Sequence, residues 1–119
     1  MALTINAKTF NQDAAKSADI VPYLGPLNTL SVRDVFTLSR SAPKPTSIFS
    51  GQARSGVKFQ RTLTLTGALT TTGVATIDVA HSIPVGASSA DQDTLCADMA
   101  SWYGGANAKS HMKSQTLLF

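Results

Sequence analysis

Three residues of this 119-residue chain have the chemistry of a nucleophile or a base: Cys96, His81 and His111. A thiol becomes a catalytic nucleophile when an imidazole sits within hydrogen-bond reach and a third group orients the ring. The spacing here does not assemble that set. Strand alternation places His81 on a core-facing register, helical periodicity places Cys96 on the buried side of a helix, and no carboxylate is spaced to orient either histidine. The histidines are also too far apart for a metal-ligand pattern, so no catalytic residue, metal or cofactor is expected. A second set is more informative. In KFQRTLTLTG, Lys58, Gln60, Thr62, Thr64 and Thr66 alternate with Phe59, Leu63 and Leu65. Period two sends the first set to one face of a strand and the second to the other. Ammonium, amide and hydroxyl groups in one row suit phosphates, sugars and base edges. They suit plain water on an open antiparallel sheet equally well.

The elements that must carry this row follow from the same alternation. A hairpin is expected at the N-terminus, with a strand over 3–10 and turn material at Asn11-Gln12-Asp13. A short apolar run, 18–24, ends at Gly25-Pro26. A longer strand is expected from Leu30 to Ser41, with Val32, Phe36 and Leu38 on the apolar side and Arg33, Val35, Thr37, Ser39 and Ser41 opposite. Ala42-Pro43-Lys44-Pro45 stops it, because proline cannot donate to a ladder. A Ser/Gly loop over 46–56 leads into the strand that begins at Lys58, and Gly67 and Gly73 bound the loop after it. No GK[ST] follows those glycines, so they make no phosphate loop. A strand from Val74 to Ile83 turns Thr76, Asp78 and Ser82 toward the polar side. Arg40 and Arg61 fall on the apolar register and are expected near strand ends, reaching water along their stems.

After Pro84 and Gly86 the period changes. Ser89 and Gln92 have capping-box spacing, with Asp91 and Asp93 in the first turn. Leu95, Met99 and Trp102 recur at i, i+4 and i+7, with Cys96, Ala100 and Tyr103 one position round. Gly104-Gly105 ends this helix. A shorter one is expected over 106–115 with Ala108 and Met112 inward, and Leu117-Leu118-Phe119 is too apolar to lie free. Trp102 and Tyr103 read as packing anchors, not stacking platforms for bases. Strands followed by two helices make an α+β protein in which helices cover one face of an antiparallel meander and leave the other open.

Composition agrees. Charged residues are 14% of the chain, against about 25% in an average globular protein. Polarity comes from 13 Ser and 14 Thr, and all seven acids are Asp. Net charge is +3 with a pI near 9.3, which admits an anionic partner. Six bases (Arg33, Arg40, Lys44, Arg54, Lys58, Arg61) stand against one acid, Asp34, between 33 and 61; from 87 to 103 there are three aspartates and no base. One cysteine excludes an internal disulfide. MALTINAKTF lacks the charged start and apolar run of a signal peptide, and no stretch has the length of a transmembrane helix. A soluble protein made in the cytoplasm, without a membrane partner, is expected. At this length one domain is expected over 1–119, with the hairpin and short strand over 1–29, the main sheet over 30–86, and the helices and tail over 87–119.

The order of these elements, with RDVFTLSRSAPKP, KFQRTLTLTG, VATIDVAHSIPV and SSADQDTLCADMASWY, resembles the coat proteins of single-stranded RNA bacteriophages of the levivirus type. The resemblance runs from Arg33 to Phe119 and is one of outline over the first 30 residues. It implies a homodimer whose sheets join edge to edge and whose helices pack across the partner. It further implies assembly into an icosahedral shell, polar face inward around the RNA genome, in the virion and built in the bacterial cytoplasm. Arg33, Thr37, Ser39, Lys58, Gln60, Thr62, Thr64, Thr76 and Asp78 then become RNA contacts, with Lys58 and Arg33 on phosphates. Leu95, Met99, Trp102, Tyr103 and Met112 become core or dimer interface. The 67–73 loop would lie near the symmetry axes. The resemblance also implies that this face can bind an RNA hairpin and repress translation; hairpin-binding members stack a base on an aromatic ring of the last strand, where Thr76 stands in this chain. Two other readings remain: a small dimeric nucleic-acid-binding or repressor domain that forms no shell, and a small enzyme using His81 or His111.

Overall fold

Phe10, Phe36 and Phe59 meet edge to face, with ring centroids 6.3, 5.8 and 5.7 Å apart in the three pairings. The computed structural model that shows this describes residues 2–48 and 50–119; Met1, and Phe49 within the loop expected over 46–56, lie outside them. The three rings come from three strands of one six-stranded antiparallel sheet, whose spatial order β1-β2-β3-β4-β5-β6 is its sequence order. The strands are β1 (Ala2–Ile5), β2 (Lys8–Gln12), β3 (Ile20–Leu24), β4 (Asp34–Ser41), β5 (Gln52–Thr64) and β6 (Thr72–Pro84). Two helices follow, α1 (Ser89–Gly104) and α2 (Ala106–Ser114). The chain forms two compact units, one reaching to Val85 and the other Gly86–Phe119.

The long meander follows the predicted alternation, and the register of β4, β5 and β6 is unbroken from Asp34↔Arg61 to Gln52↔Pro84. The hairpin differs from expectation. Asn6 and Ala7 take left-handed φ values of 50° and 61° and make the turn, so residues 11 and 12 belong to β2. Asparagine tolerates that region better than most residues, and this local signal at position 6 outweighs the polar cluster at 11–13. The β5 strand also starts earlier than expected, at Gln52, which brings Arg54 into the sheet.

The two arginines on the apolar register part company. Arg40 does reach water, pairing with Asp19 at 2.9 Å where both are exposed. Arg61 does not merely snorkel. Its Nε donates to Asp34 Oδ1 at 3.1 Å, its side chain is 27% exposed, and Asp34 is fully buried. The guanidinium carbon lies 4.8 Å from the Phe59 ring centroid, a cation–π contact. Asp34 also organises the segment before it. Leu27 N–H donates to Asp34 Oδ2 at 3.4 Å, Asp34 N–H to Asn28 Oδ1 at 3.1 Å, and Gly25 N–H to the Asp34 carbonyl at 2.7 Å. Every buried polar side-chain atom among the described residues has a partner.

Gly25 is required by this packing. A Cβ there would collide with the Asp34 carboxylate and come within 2.7 Å of Phe10 Cε2. Removing one partner of a buried pair strands the other charge, at a typical cost of about 3–5 kcal/mol. Because Arg61 keeps some water, Asp34→Ala is expected near the lower end, about 3 kcal/mol in denaturant unfolding. Gly25→Ala should destabilise through the clash, and a change within about 0.5 kcal/mol for both variants would contradict this account.

Candidate nucleic-acid interface

Alternation along β4, β5 and β6 builds the polar face in rows. Thr37, Lys58 and Asp78 stand opposite one another in one row, and Val35, Gln60 and Thr76 in the next. On the same face, beyond the Lys58 row and away from Gln60, come Ser39, Gly56 and Ala80, then Ser41, Arg54 and Ser82. Thr62 faces Val74, and Thr64 faces Thr72. All nine residues expected to contact RNA therefore share one side of the sheet. Arg33 is fixed to this face at two points: its N–H donates to Thr62 Oγ1 at 2.9 Å and its Nε to Gln60 Oε1 at 2.8 Å. Ser39 Oγ donates to the Gly56 carbonyl at 3.4 Å, and Ser82 Oγ to Gln52 Oε1 at 2.7 Å.

Arg54 was absent from the expected set. It is four residues before Lys58, hence on the same face, and only the late strand start hid it. Ser41, Lys44 and Arg54 line a hollow of about 270 Å³ whose lining has no acid. Among the described residues the ion pairs are Arg40–Asp19 and Arg61–Asp34. Arg33, Arg54 and Lys58 are thus not neutralised by a bonded carboxylate, and even Asp78, directly opposite Lys58, forms no ion pair with it. The face is also less uniformly polar than alternation suggests. Pro22 and Val35 on this side are buried.

The helical unit carries a different surface. Ser88, not Ser89, caps α1: its Oγ accepts from Asp91 N–H at 3.1 Å, while Gln92 Nε2 donates to the Ala87 carbonyl at 3.1 Å. Gly105 N–H closes the helix on Trp102 O. No residue of α1 is buried, and in α2 only Ala108 is. Leu95, Met99, Trp102 and Tyr103 are all exposed, Met112 is 62% exposed where an inward position was expected, and Cys96 is exposed too. The Leu117–Phe119 tail is also exposed, yet Phe119 packs edge to face on Trp102 at 6.1 Å. In the sheet unit, β6 hydrogen-bonds only to β5 and ends the strand order. Long unpaired edges and broad apolar surfaces are what assembly interfaces are made from.

The two histidines have separate hydrogen-bond partners. His81 Nδ1 lies 3.2 Å from Ser55 Oγ, both exposed, and His111 Nδ1–H donates to the Thr116 carbonyl at 2.9 Å. Ser55 was missed because residues 46–56 read as loop. No carboxylate bonds to either imidazole, and no group of three or more metal-ligating side chains is present, among the described residues. None of the described helices is long and apolar enough to cross a membrane.

This is the coat-protein fold of levi-like phages: a six-stranded antiparallel sheet followed by two helices. It is similar to chains of the virus-like particles of Beihai levi-like virus 32 (16% identity, TM-score 0.79, 96% of this chain and 91% of that one), bacteriophage GQ-907 (16%, 0.77, 98% and 88%) and bacteriophage AVE019 (14%, 0.75, 100% and 96%). No family model matches the sequence. No curated protein matches it either.

The charge pattern makes a prediction about polyanions. Asp78→Asn should elute from immobilised heparin at higher salt than the parent, and Lys58→Ala at lower salt, with the log affinity–log salt slope reduced by about one. Unchanged elution of both variants would mean that anions do not use this face.

Proposed function

We propose that this chain is the major coat protein of a single-stranded RNA bacteriophage, a structural protein without catalysis. Two copies join at β6 and exchange helices, and the dimers assemble into an icosahedral shell around the genome. The observation that carries this reading is a division of surfaces within one fold. The sheet presents unneutralised cations and hydroxyls on one face, while the unpaired β6 edge and exposed Leu95, Met99, Trp102 and Tyr103 offer what a second copy would cover. The likeness over 96–100% of the chain to chains of virus-like particles supports it. In this reading residues 1–119 act as one coat domain that is completed by its partner.

Arg33 and Lys58 contact phosphates; Thr37, Ser39, Gln60, Thr62, Thr64 and Thr76 contact sugars and bases. Phosphate contacts set affinity and its salt dependence and carry little sequence information. Asp78 is tolerated on this face because it can accept from a base amino group. Packaging therefore rests on electrostatics, and Thr76 supplies no ring for stacking a hairpin base. The particle assembles in the host cytoplasm and the protein resides in the virion.

Chromatography of the expressed protein with light scattering and absorbance at 260 and 280 nm tests this. A very large, uniform species rich in 260 nm absorbance is the expected result. A stable dimer without nucleic acid would instead favour a repressor or binding domain of the same fold. Within particles, Arg33→Ala with Lys58→Ala should lower RNA per unit protein; unchanged content would overturn the role given to these two residues.

A further inference from the structure

The stripe of α1 that carries Leu95 and Trp102 is not purely apolar. Asp91, Leu95, Asp98 and Trp102 recur at i, i+4, i+7 and i+11, so two carboxylates share the face of the two large side chains. All four residues are exposed. The helix itself accounts for Asp91, which lies in the first turn where the dipole favours an anion. It does not account for Asp98, placed mid-helix, where aspartate is a poor helix former. The second helix is the converse. Lys109, Met112 and Lys113 recur at i, i+3 and i+4, all exposed, and no acid occurs from 104 to 119. Lys113 lies in the last turn, where a cation suits the dipole, but Lys109 does not. Within the chain these opposite charges do not meet: among the described residues none of the four side chains is in an ion pair.

We propose that the acidic stripe of α1 docks on the basic face of α2 of a second copy, Asp91 and Asp98 meeting the partner's Lys109 and Lys113. The inference rests on the pairing of copies proposed above and adds which helix meets which, and why. Covering Leu95 and Trp102 also takes Asp91 and Asp98 out of water, and a carboxylate leaving water needs a cation to meet it. Arg40 and Arg61 are already paired, with Asp19 and Asp34. His111 Nδ1–H is given to the Thr116 carbonyl. Lys109 and Lys113 stand unpaired beside an apolar side chain, which is what such a stripe requires opposite it. The spacings are compatible: the aspartates are about 10 Å apart along their axis and the lysines about 6 Å, a difference that flexible lysine stems absorb. A two-fold axis repeats the contact, so each pair of copies makes it twice.

Charge reversal tests this. Asp91→Lys with Asp98→Lys leaves both helices basic, and Lys109→Asp with Lys113→Asp leaves both acidic. Each double variant alone should associate about a hundredfold more weakly, or worse, because like charges then meet twice. The two variants mixed should pair with each other, and all four changes in one chain should restore self-association. Carbodiimide coupling, which joins a carboxylate to an amine in contact, needs no variant. On the parent assembled from mixed heavy-nitrogen and unlabelled copies, it should link 91 or 98 of one copy to 109 or 113 of the other. Double variants that associate as the parent does would overturn the docking, as would absence of those links between copies. Failure of both the mixture and the fourfold exchange to restore association would overturn it too, while a parent that still pairs keeps the dimer reading. A monomeric parent would remove both.

Discussion

The contact on which the sheet unit depends is the pairing of Arg61 with buried Asp34. A fully buried carboxylate is tolerable only when its charge and lone pairs are met. Here Arg61 meets one oxygen and the Leu27 amide the other. The consequences run in two directions. Toward the core, Arg61 lies against Phe59 and so joins the edge-to-face cluster of Phe10, Phe36 and Phe59. Toward the opposite face, Asp34 ties down residues 25–28 and leaves Arg33 anchored to Thr62 and Gln60. One ion pair thus links the packing of the apolar side to the placement of cations on the polar side. Gly25 is glycine because the backbone must pass close to both Asp34 and Phe10.

Most of the sheet could be read from its residues, for a physical reason. A long antiparallel strand buried on one side must alternate, and a one-residue slip would reverse every side chain. That constraint acts on β4, and unbroken pairing carries it into β5 and β6, so the expected faces hold for Thr37, Ser39, Lys58, Gln60, Thr76 and Asp78. It acts weakly where strands are short. The hairpin turn was misplaced because these strands are short, and only left-handed residues at 6 and 7 fix the turn. The cap of α1 was displaced by one position because Ser88 and Ser89 both carry the required hydroxyl. The Asp34–Arg61 pair left a readable trace: two opposite charges on a register otherwise held by Phe36, Phe59 and Leu63. Treating them separately, as a lone acid and a snorkelling arginine, hid the pairing.

The helices teach the opposite lesson. Periodicity placed Leu95, Met99 and Trp102 on one side of α1 correctly, but periodicity identifies a surface to be covered and not what covers it. These residues are exposed in the single chain, as are Met112 and the tail beyond it. The same holds for the edge of β6, which is long and unpaired. In the function proposed above, such a chain has part of its stability in association, and assembly becomes part of folding. The function proposed above follows that division: one surface is reserved for copies of itself, the other for a polyanion. The low identity to the particle chains that share this fold fits a surface whose requirement is alternation, charge and small hydroxyl side chains, all of which many sequences satisfy.

The central claim is that the isolated chain is half of a structure, completed when a second copy meets β6 and covers the exposed face of α1. Electron cryo-microscopy of the expressed protein, at a resolution that traces the main chain, tests it most directly. The account predicts continuous antiparallel pairing of β6 with β6 of a second copy, and Leu95, Met99 and Trp102 buried against that partner. A particle or oligomer in which β6 stays solvent-exposed, with these three side chains still in water, would contradict it.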